Sequence, residues 1–274
     1  MMKNKIMVLK GLTVAIFVVA FQLVGPWAYA QDSPSGGSTW EFHLIPYFWM
    51  AGLDGDTTFK GNKSQVDASF SDILDNLDIG VLVHFEAQKE RWGFFLDTNY
   101  LKLSSDAHVD DPNVGRIDAK LKVEQWLIDF GGVYRFGRWS LEAEQGREIS
   151  LELLGGGRYW DLKTELDLNA PLAGLGANVK VSEDWIDPFI GLRLRADLTP
   201  KLSLALRGDI GGFGVGSDFS WNASAIFGYS FSEMISVWLG YRALGVDYED
   251  GSGPDKFAYD VTMSGPIVGL AFKF

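Results

Sequence analysis

The 274-residue chain contains no cysteine, which excludes a disulfide framework and leaves the fold to be held by other means. Positive charge is also short: 24 Lys and Arg stand against 36 Asp and Glu, a net charge of −12. Nucleic acid is therefore excluded as a partner, because phosphates call for a basic surface. Helical periodicity is nearly missing, its strongest trace being one short turn in "SDILDNLD", Ser71 to Asp78. Histidine is scarce, with three residues, and none of them stands in a spacing that announces a Ser-His nucleophile pair.

A long apolar run occurs once, near the N-terminus. Lys3, Lys5 and Lys10 precede the stretch Gly11 to Val24, and Ala28-Tyr29-Ala30 follows as a small-x-small cleavage signal. The run is too short for the roughly 20 residues of a spanning helix. Residues 1–30 are therefore expected to be a cleaved signal peptide; without their three lysines the net charge becomes −15. "QDSPSGGST", residues 31–39, reads as a flexible leader, and residues 40–274 as one domain.

What fills that domain is alternation of period two. Ten segments can be marked: Trp40–Phe59, Ile79–Gln88, Trp92–Leu103, Ala119–Phe136, Ile149–Leu168, Trp185–Leu198, Leu202–Phe213, Phe219–Phe231, Ile235–Tyr248 and Ala258–Phe274. Their joins alternate between short, as at Lys89-Glu90-Arg91, Thr199-Pro200-Lys201 and Ser232-Glu233-Met234, and long, as at Lys60–Asp78, Ser104–Asp118, Asn169–Asp184 and Glu249–Phe257. Gly137 to Glu148 falls at a short-join position yet is long, which points to a hairpin or a strand extension. An even number of antiparallel strands with both termini on the short-turn side predicts a closed transmembrane β-barrel of about ten strands, with short periplasmic turns and longer extracellular loops.

Each strand carries its charge in one phase. In the sixth segment Ile186, Ile190, Leu192 and Leu194 alternate with Trp185, Asp187, Phe189, Arg193, Arg195 and Asp197. Turned outward, Arg193, Arg195 and Arg207 would cost about 2–4 kcal/mol each near the bilayer midplane, so the charged phase is expected to face the lumen. Glycines such as Gly131, Gly156, Gly191 and Gly240 share that phase, as a narrow lumen needs. The apolar phase is crowded with Trp, Phe and Tyr, suited to lipid and to interfacial girdles; Trp40, Trp92, Tyr134, Phe136, Tyr229, Phe231 and Phe274 should form the ring at the short-turn end. Pro46 and Pro266, on the first and last strands, are expected to share one bulge at the closure seam.

The chain ends on "SGPIVGLAFKF", with Phe274, Phe272, Leu270 and Val268 on one face. This ending resembles the C-terminal signature of Gram-negative outer-membrane barrels, which implies that Phe272 and Phe274 are read by the barrel-assembly machinery. More broadly, "FSDILDNLDIG" at Phe70–Gly80, "GGRYWDL" at Gly156–Leu162, "GDIGGFGVGSDFSW" at Gly208–Trp221 and "GYRALGVDYED" at Gly240–Asp250 resemble a family of small Gram-negative outer-membrane β-barrel proteins of unassigned activity. The resemblance implies an outer-membrane location and lipid as surroundings, and implies no mechanism; a monomer is expected.

The lumen-facing set is Glu41, His43, His84, Glu86, Asp97, Asp129, Arg135, Arg158, Arg193, Arg195, Asp197, Arg207, Asp209 and Arg242. Such density of mixed sign predicts a salt-bridged, largely filled interior, read either as a narrow selective pore or, preferred for so few strands, as a plug of ion pairs and water. Glu41, His43, His84 and Glu86 come from adjacent strands and could hold a metal or polarise a water, although hydrogen-bonded filler is the commoner fate of such groups. No catalytic residue, cofactor or metal is therefore expected. "GGFGVG", Gly211–Gly216, follows a strand but opens no helix, so it reads as a tight loop and not a phosphate cradle. The acidic stretch Asp247–Asp255 and the join Lys60–Asp78 keep a second function class open, a surface adhesin or binding barrel; a barrel hydrolase, as in the omptin proteases or lipid A deacylases, is the third.

Overall fold

The computed structural model describes residues 39–111, 115–142, 147–170 and 175–274; the expected signal peptide and most of the leader lie outside them. The strands are β1 (Glu41–Trp49), β2 (Gly52–Phe59), β3 (Asn62–Ala68), β4 (Leu77–Lys89), β5 (Trp92–Asp111), β6 (Gly115–Glu142), β7 (Arg147–Ala170), β8 (Leu175–Asp197), β9 (Leu202–Gly212), β10 (Phe219–Ser230), β11 (Ile235–Asp250) and β12 (Phe257–Lys273). A ring of ten antiparallel strands runs β1, β4 to β12, and β12 closes on β1. Closure leaves no edge to be hydrogen-bonded by lipid, which has nothing to offer it.

The phase assignment holds. Phe94, Ile190, Leu192, Ile210 and Leu239 lie exposed on the outer wall, while Asp129, Glu152, Arg158 and Asp187 are 0% exposed inside. The outer face also marks the limits of the lipid. Outward positions change from apolar to charged between Tyr100 and Lys102, between Trp126 and Glu124, and between Ile186 and Asp184. From Trp92 to Tyr100, and from Tyr134 back to Trp126, the wall therefore matches the 9–11 residues that a tilted strand needs to cross a bilayer. Trp92 packs on Tyr134 with ring centroids 4.6 Å apart, Tyr229 on Phe231 at 5.1 Å and Phe42 on Phe274 at 5.8 Å, all at the short-turn end. There they form the expected girdle.

Several joins read as loops are wall. β5 and β6 stay paired from Trp92↔Tyr134 up to Asp111↔Gly115, and β7 and β8 from Ile149↔Ala196 to Ala170↔Leu175. Above the lipid both faces meet water, so the sequence loses its greasy phase while the backbone ladder continues. Charge pairs replace apolar packing there: Lys102 meets Glu124 at 2.9 Å and Lys180 meets Glu165 at 2.8 Å. Lys180 and Asn178 together hold the Glu165 carboxyl below its ordinary range. Gly137–Glu142 and Arg147–Glu148 are likewise strand, extending β6 and β7, with register bulges between Arg135 and Gly137 and between Ser140 and Glu142.

At the closure seam the expectation of a shared bulge is overturned. The β1–β12 register from His43↔Lys273 to Trp49↔Ile267 continues without slip into the β2–β12 register from Gly52↔Ser264 to Thr58↔Ala258. The first segment is thus one line of chain broken at Met50–Ala51. Each proline deletes one donor and leaves the register alone: the ladder skips Pro46, and Met50 N donates to Pro266 O at 2.8 Å with no N–H to answer it. Above the Pro46↔Val83 pair β4 parts from β1, and β3 takes the free edge of β2.

The helix α1 (Phe70–Asp75) sits at this fork, with Phe70 edge-on to Phe48 at 6.0 Å. It begins at Ser69, whose hydroxyl accepts from Asp72 N, while Asp72 accepts from Ser69 N at 3.0 Å, a reciprocal capping box. These bonds favour the ionised Asp72 and hold its carboxyl below the usual range.

Two inward glycines have a specific cause. A methyl group at Gly156 would run into the Phe130 carbonyl, and one at Gly131 into the Gly155 carbonyl, because β6 and β7 approach closely there. The outward neighbours Gly132 and Gly155 face nothing closer than 3.8 Å.

Candidate functional site

The lumen is built in layers. In the lower one, nearest the short turns, Arg193 donates from Nε to Glu152 at 2.7 Å and from both terminal nitrogens to Glu86 at 2.8 Å. Arg195 reaches Glu86 at 2.6 Å, and Arg135 reaches Glu152 at 3.1 Å and Gln88 at 2.5 Å. Three guanidiniums therefore share two carboxylates. Planar forks suit this bidentate sharing in a way that lysine ammonium groups would not.

The next layer is balanced. Arg158, fully buried, grips Asp129 at 2.7 and 3.1 Å and Asp209 at 2.9 Å. Arg207 holds Asp209 at 2.8 Å and stands over the rings of Phe95 and Phe189. Arg242 lies 3.3 Å from Asp97 and 3.5 Å from Asp129, over the Trp49 ring. Tyr47 donates to Asp97 at 2.8 Å, and Asn222 bridges Arg242 and Asp209. His84 links the two layers, with Nδ1 3.0 Å from Asp97 and Nε2 3.5 Å from Glu86. On the β5–β8 side the buried apolar side chains Phe95, Val133, Leu154 and Phe189 separate them.

Above the charges an aromatic plug occupies the bore. Trp185 stacks on Tyr248 at 3.9 Å and on Trp160 at 5.5 Å, and Tyr259 meets both indoles edge-on. Leu127, Leu162, Leu244, Val246, Phe257, Val261 and Met263 fill the space around them. The plug lies level with the upper lipid boundary, since Leu127 and Trp160 are neighbours of the outward Trp126 and Tyr159. The loop after β9 reinforces it. Gly212, Phe213 and Gly214 take positive φ of 86°, 53° and 70°, and the turn they make brings Ser217 N to Asp187 at 2.7 Å. Of the expected loop Gly211–Gly216, Gly211 and Gly212 end β9, paired with Ser220 and Phe219, and the tight turn begins at Phe213.

Below the charges lies a cavity of about 620 Å³. It reaches the turns at Pro200–Lys201 and Phe231–Glu233, and its inner end is formed by Arg193, Arg207 and Arg242 together with Tyr47, His84, Asp97 and Asn222.

The lumen set thus separates by height. Glu86, Asp97, Asp129, Arg135, Arg158, Arg193, Arg195, Arg207, Asp209 and Arg242 join the two ionic layers. Asp197 lines the mouth of the cavity, and His43 its wall. Glu41 lies at the rim, paired with Lys273 at 3.1 Å. The grouping of Glu41 and His43 with His84 and Glu86 is therefore not realised as one site, because Lys273 takes Glu41 and Asp97 takes His84. Among the described residues no group of three or more His, Asp or Glu is placed to hold a metal. Phe274 is bonded through both N and O to Phe42 at 3.0 Å, and Phe272 pairs with Leu44.

Sequence reasoning missed the aromatic plug. Its signal was present: Trp185 alternates in phase with Asp187 and Arg193, and Leu244, Val246 and Tyr248 continue the phase of Arg242.

No family model and no curated protein matches the sequence. Solved structures do. The outer membrane protease OmpT of Escherichia coli superposes with a TM-score of 0.53, at 9% identity, over 89% of this chain and 100% of OmpT. Ail, the attachment invasion locus protein of Yersinia pestis, covers 86% of this chain and 98% of its own at 13% identity with a TM-score of 0.33; Neisserial surface protein A covers 87% and 99% at 13% identity with a TM-score of 0.28. At such identities the likeness to OmpT carries the fold alone, and that fold is the closed β-barrel of Gram-negative outer-membrane proteins.

Proposed function

We propose that this protein is a non-conducting outer-membrane barrel, exported by its N-terminal signal and assembled through its C-terminal strand, whose work is binding at its ends rather than passage through its bore. One observation supports the reading: at successive levels of the lumen Glu152, then Asp129 and Arg158, then Asp187 are all 0% exposed, with the stacked rings of Trp160, Trp185 and Tyr248 above them. Opening a path there would separate buried charge pairs and would also displace the Trp185–Tyr248 stack.

Planar-bilayer recording on the purified, folded protein tests this. Flat baselines at voltages where porins open are the expected result. Reproducible ohmic steps that disappear on neutralising Arg193 or Arg207 would instead establish a charged pore.

A further inference from the structure

We propose that the cavity at the short-turn end is a binding chamber for a soluble small molecule bearing phosphate or carboxylate groups. It rests on the sealed-lumen reading in that a blind chamber retains what a through-pore would pass.

The first support is the sign of the wall. Arg193, Arg195, Arg207, Arg242, Lys201 and Lys273 line the cavity, against Asp97, Asp197 and Glu233. This in a chain of net charge −12 is a local inversion. It arises because Glu86, Glu152, Asp129 and Asp209, which anchor the arginines, lie behind them and not on the cavity wall. The second support is unused donors: Arg195 and Arg207 spend Nε and Nη2 on the network, and neither Nη1 donates to a described residue. These are N–H donors on the cavity wall, already ordered by their ion pairs.

Hydroxyls complete the lining. Ser203, Ser224 and Ser236 face the cavity from β9, β10 and β11, with Trp238, Ile226 and Ile267 offering an apolar patch beside them. Arginine forks and hydroxyls together select oxyanions, and a volume of about 620 Å³ lies within the roughly 300–1,000 Å³ of small-ligand sites. The mouth opens on the side of the short turns, so the ligand enters from the periplasm.

The test is calorimetric titration of the folded full-length protein at low ionic strength with pyrophosphate, citrate and soluble dihexanoyl phosphatidate. Saturable binding of pyrophosphate or citrate is expected. Ser224 is paired in register with both Arg207 and Arg242, so Ser224→Asp sets a carboxylate between them and should weaken binding at least tenfold. Lys201→Gln, on an exposed turn, should weaken it severalfold and keeps the test open if Ser224→Asp does not fold. Trp185→Phe, in the plug, should leave binding unchanged.

A phosphatidate that binds tenfold tighter than pyrophosphate would identify a lipid headgroup as the source of the same chemistry. Absence of saturable binding by all three probes, or binding indifferent to Ser224→Asp and Lys201→Gln, overturns the proposal. Bilayer conductance of the same preparation is read separately. Channel steps would remove the sealed lumen without removing anion binding, and a silent bilayer without binding would remove the chamber alone.

Discussion

Replacing Arg158 by methionine should be among the most damaging conservative-volume changes in the lumen. Arg158 makes three charge-assisted bonds, two to Asp129 and one to Asp209, from a position of 0% exposure. Its layer holds three guanidiniums, Arg158, Arg207 and Arg242, against three carboxylates, Asp97, Asp129 and Asp209. Loss of one leaves an uncompensated negative charge in the wall of the bore, which costs about 3–5 kcal/mol. Arg207 and Arg242 still reach Asp129 at 3.4 and 3.5 Å, which argues for the lower half of that range, a hundredfold or more in the folding constant. Urea titration of barrel folding into lipid vesicles, followed by heat-modifiable gel mobility, measures it. The decisive companion is Arg158→Met with Asp129→Asn, which restores two against two. The double variant should recover at least about 1 kcal/mol relative to the sum of the singles. A single variant that costs less than about 1 kcal/mol, or a double variant that is merely additive, would refute the idea that charge balance within the layer sets its stability.

Other expectations follow from particular contacts. Gly156→Ala should destabilise by about 1–3 kcal/mol, since its methyl meets the Phe130 backbone. Gly155→Ala, next to it and facing outward, should be neutral or stabilise by up to about 1 kcal/mol, as measured in the same titration; equal effects would contradict the close β6–β7 approach. Ser69→Ala should return the Asp72 carboxyl toward its ordinary range in an NMR titration. Because the folded value is depressed, the contribution of this cap is present above the ordinary carboxylate range and disappears as pH falls through the depressed value. Deleting Phe274 removes two backbone bonds to Phe42 and a stacked ring. If the residue is also an assembly address, the folded fraction in cells should drop at least tenfold while refolding of the purified chain into detergent falls much less; parallel losses would leave it a seam residue alone.

The amino-acid pattern by itself decided which way each side chain turns. Period-two alternation is a property of the pleat, and lipid makes an outward arginine so costly that the phase of Arg193, Arg195 and Arg207 settles that of every strand aligned with them. A helical turn within Ser71–Asp78 was legible from local periodicity; the structure places it at Phe70–Asp75, set by the cap at Ser69. Height was not legible. Which inward residues meet depends on register and on strand tilt around the closed ring, and these emerge only when ten strands pair at once. Hence Glu41 found Lys273 instead of the histidines, and two prolines that suggested a bulge merely dropped a donor each. Trp185 and Tyr248, 63 positions apart, came to lie 3.9 Å from one another. The division of the lumen into plug, ionic layers and chamber belongs to the tertiary structure for the same reason: alternation specifies a face, and only ring closure assigns each residue on that face to a depth.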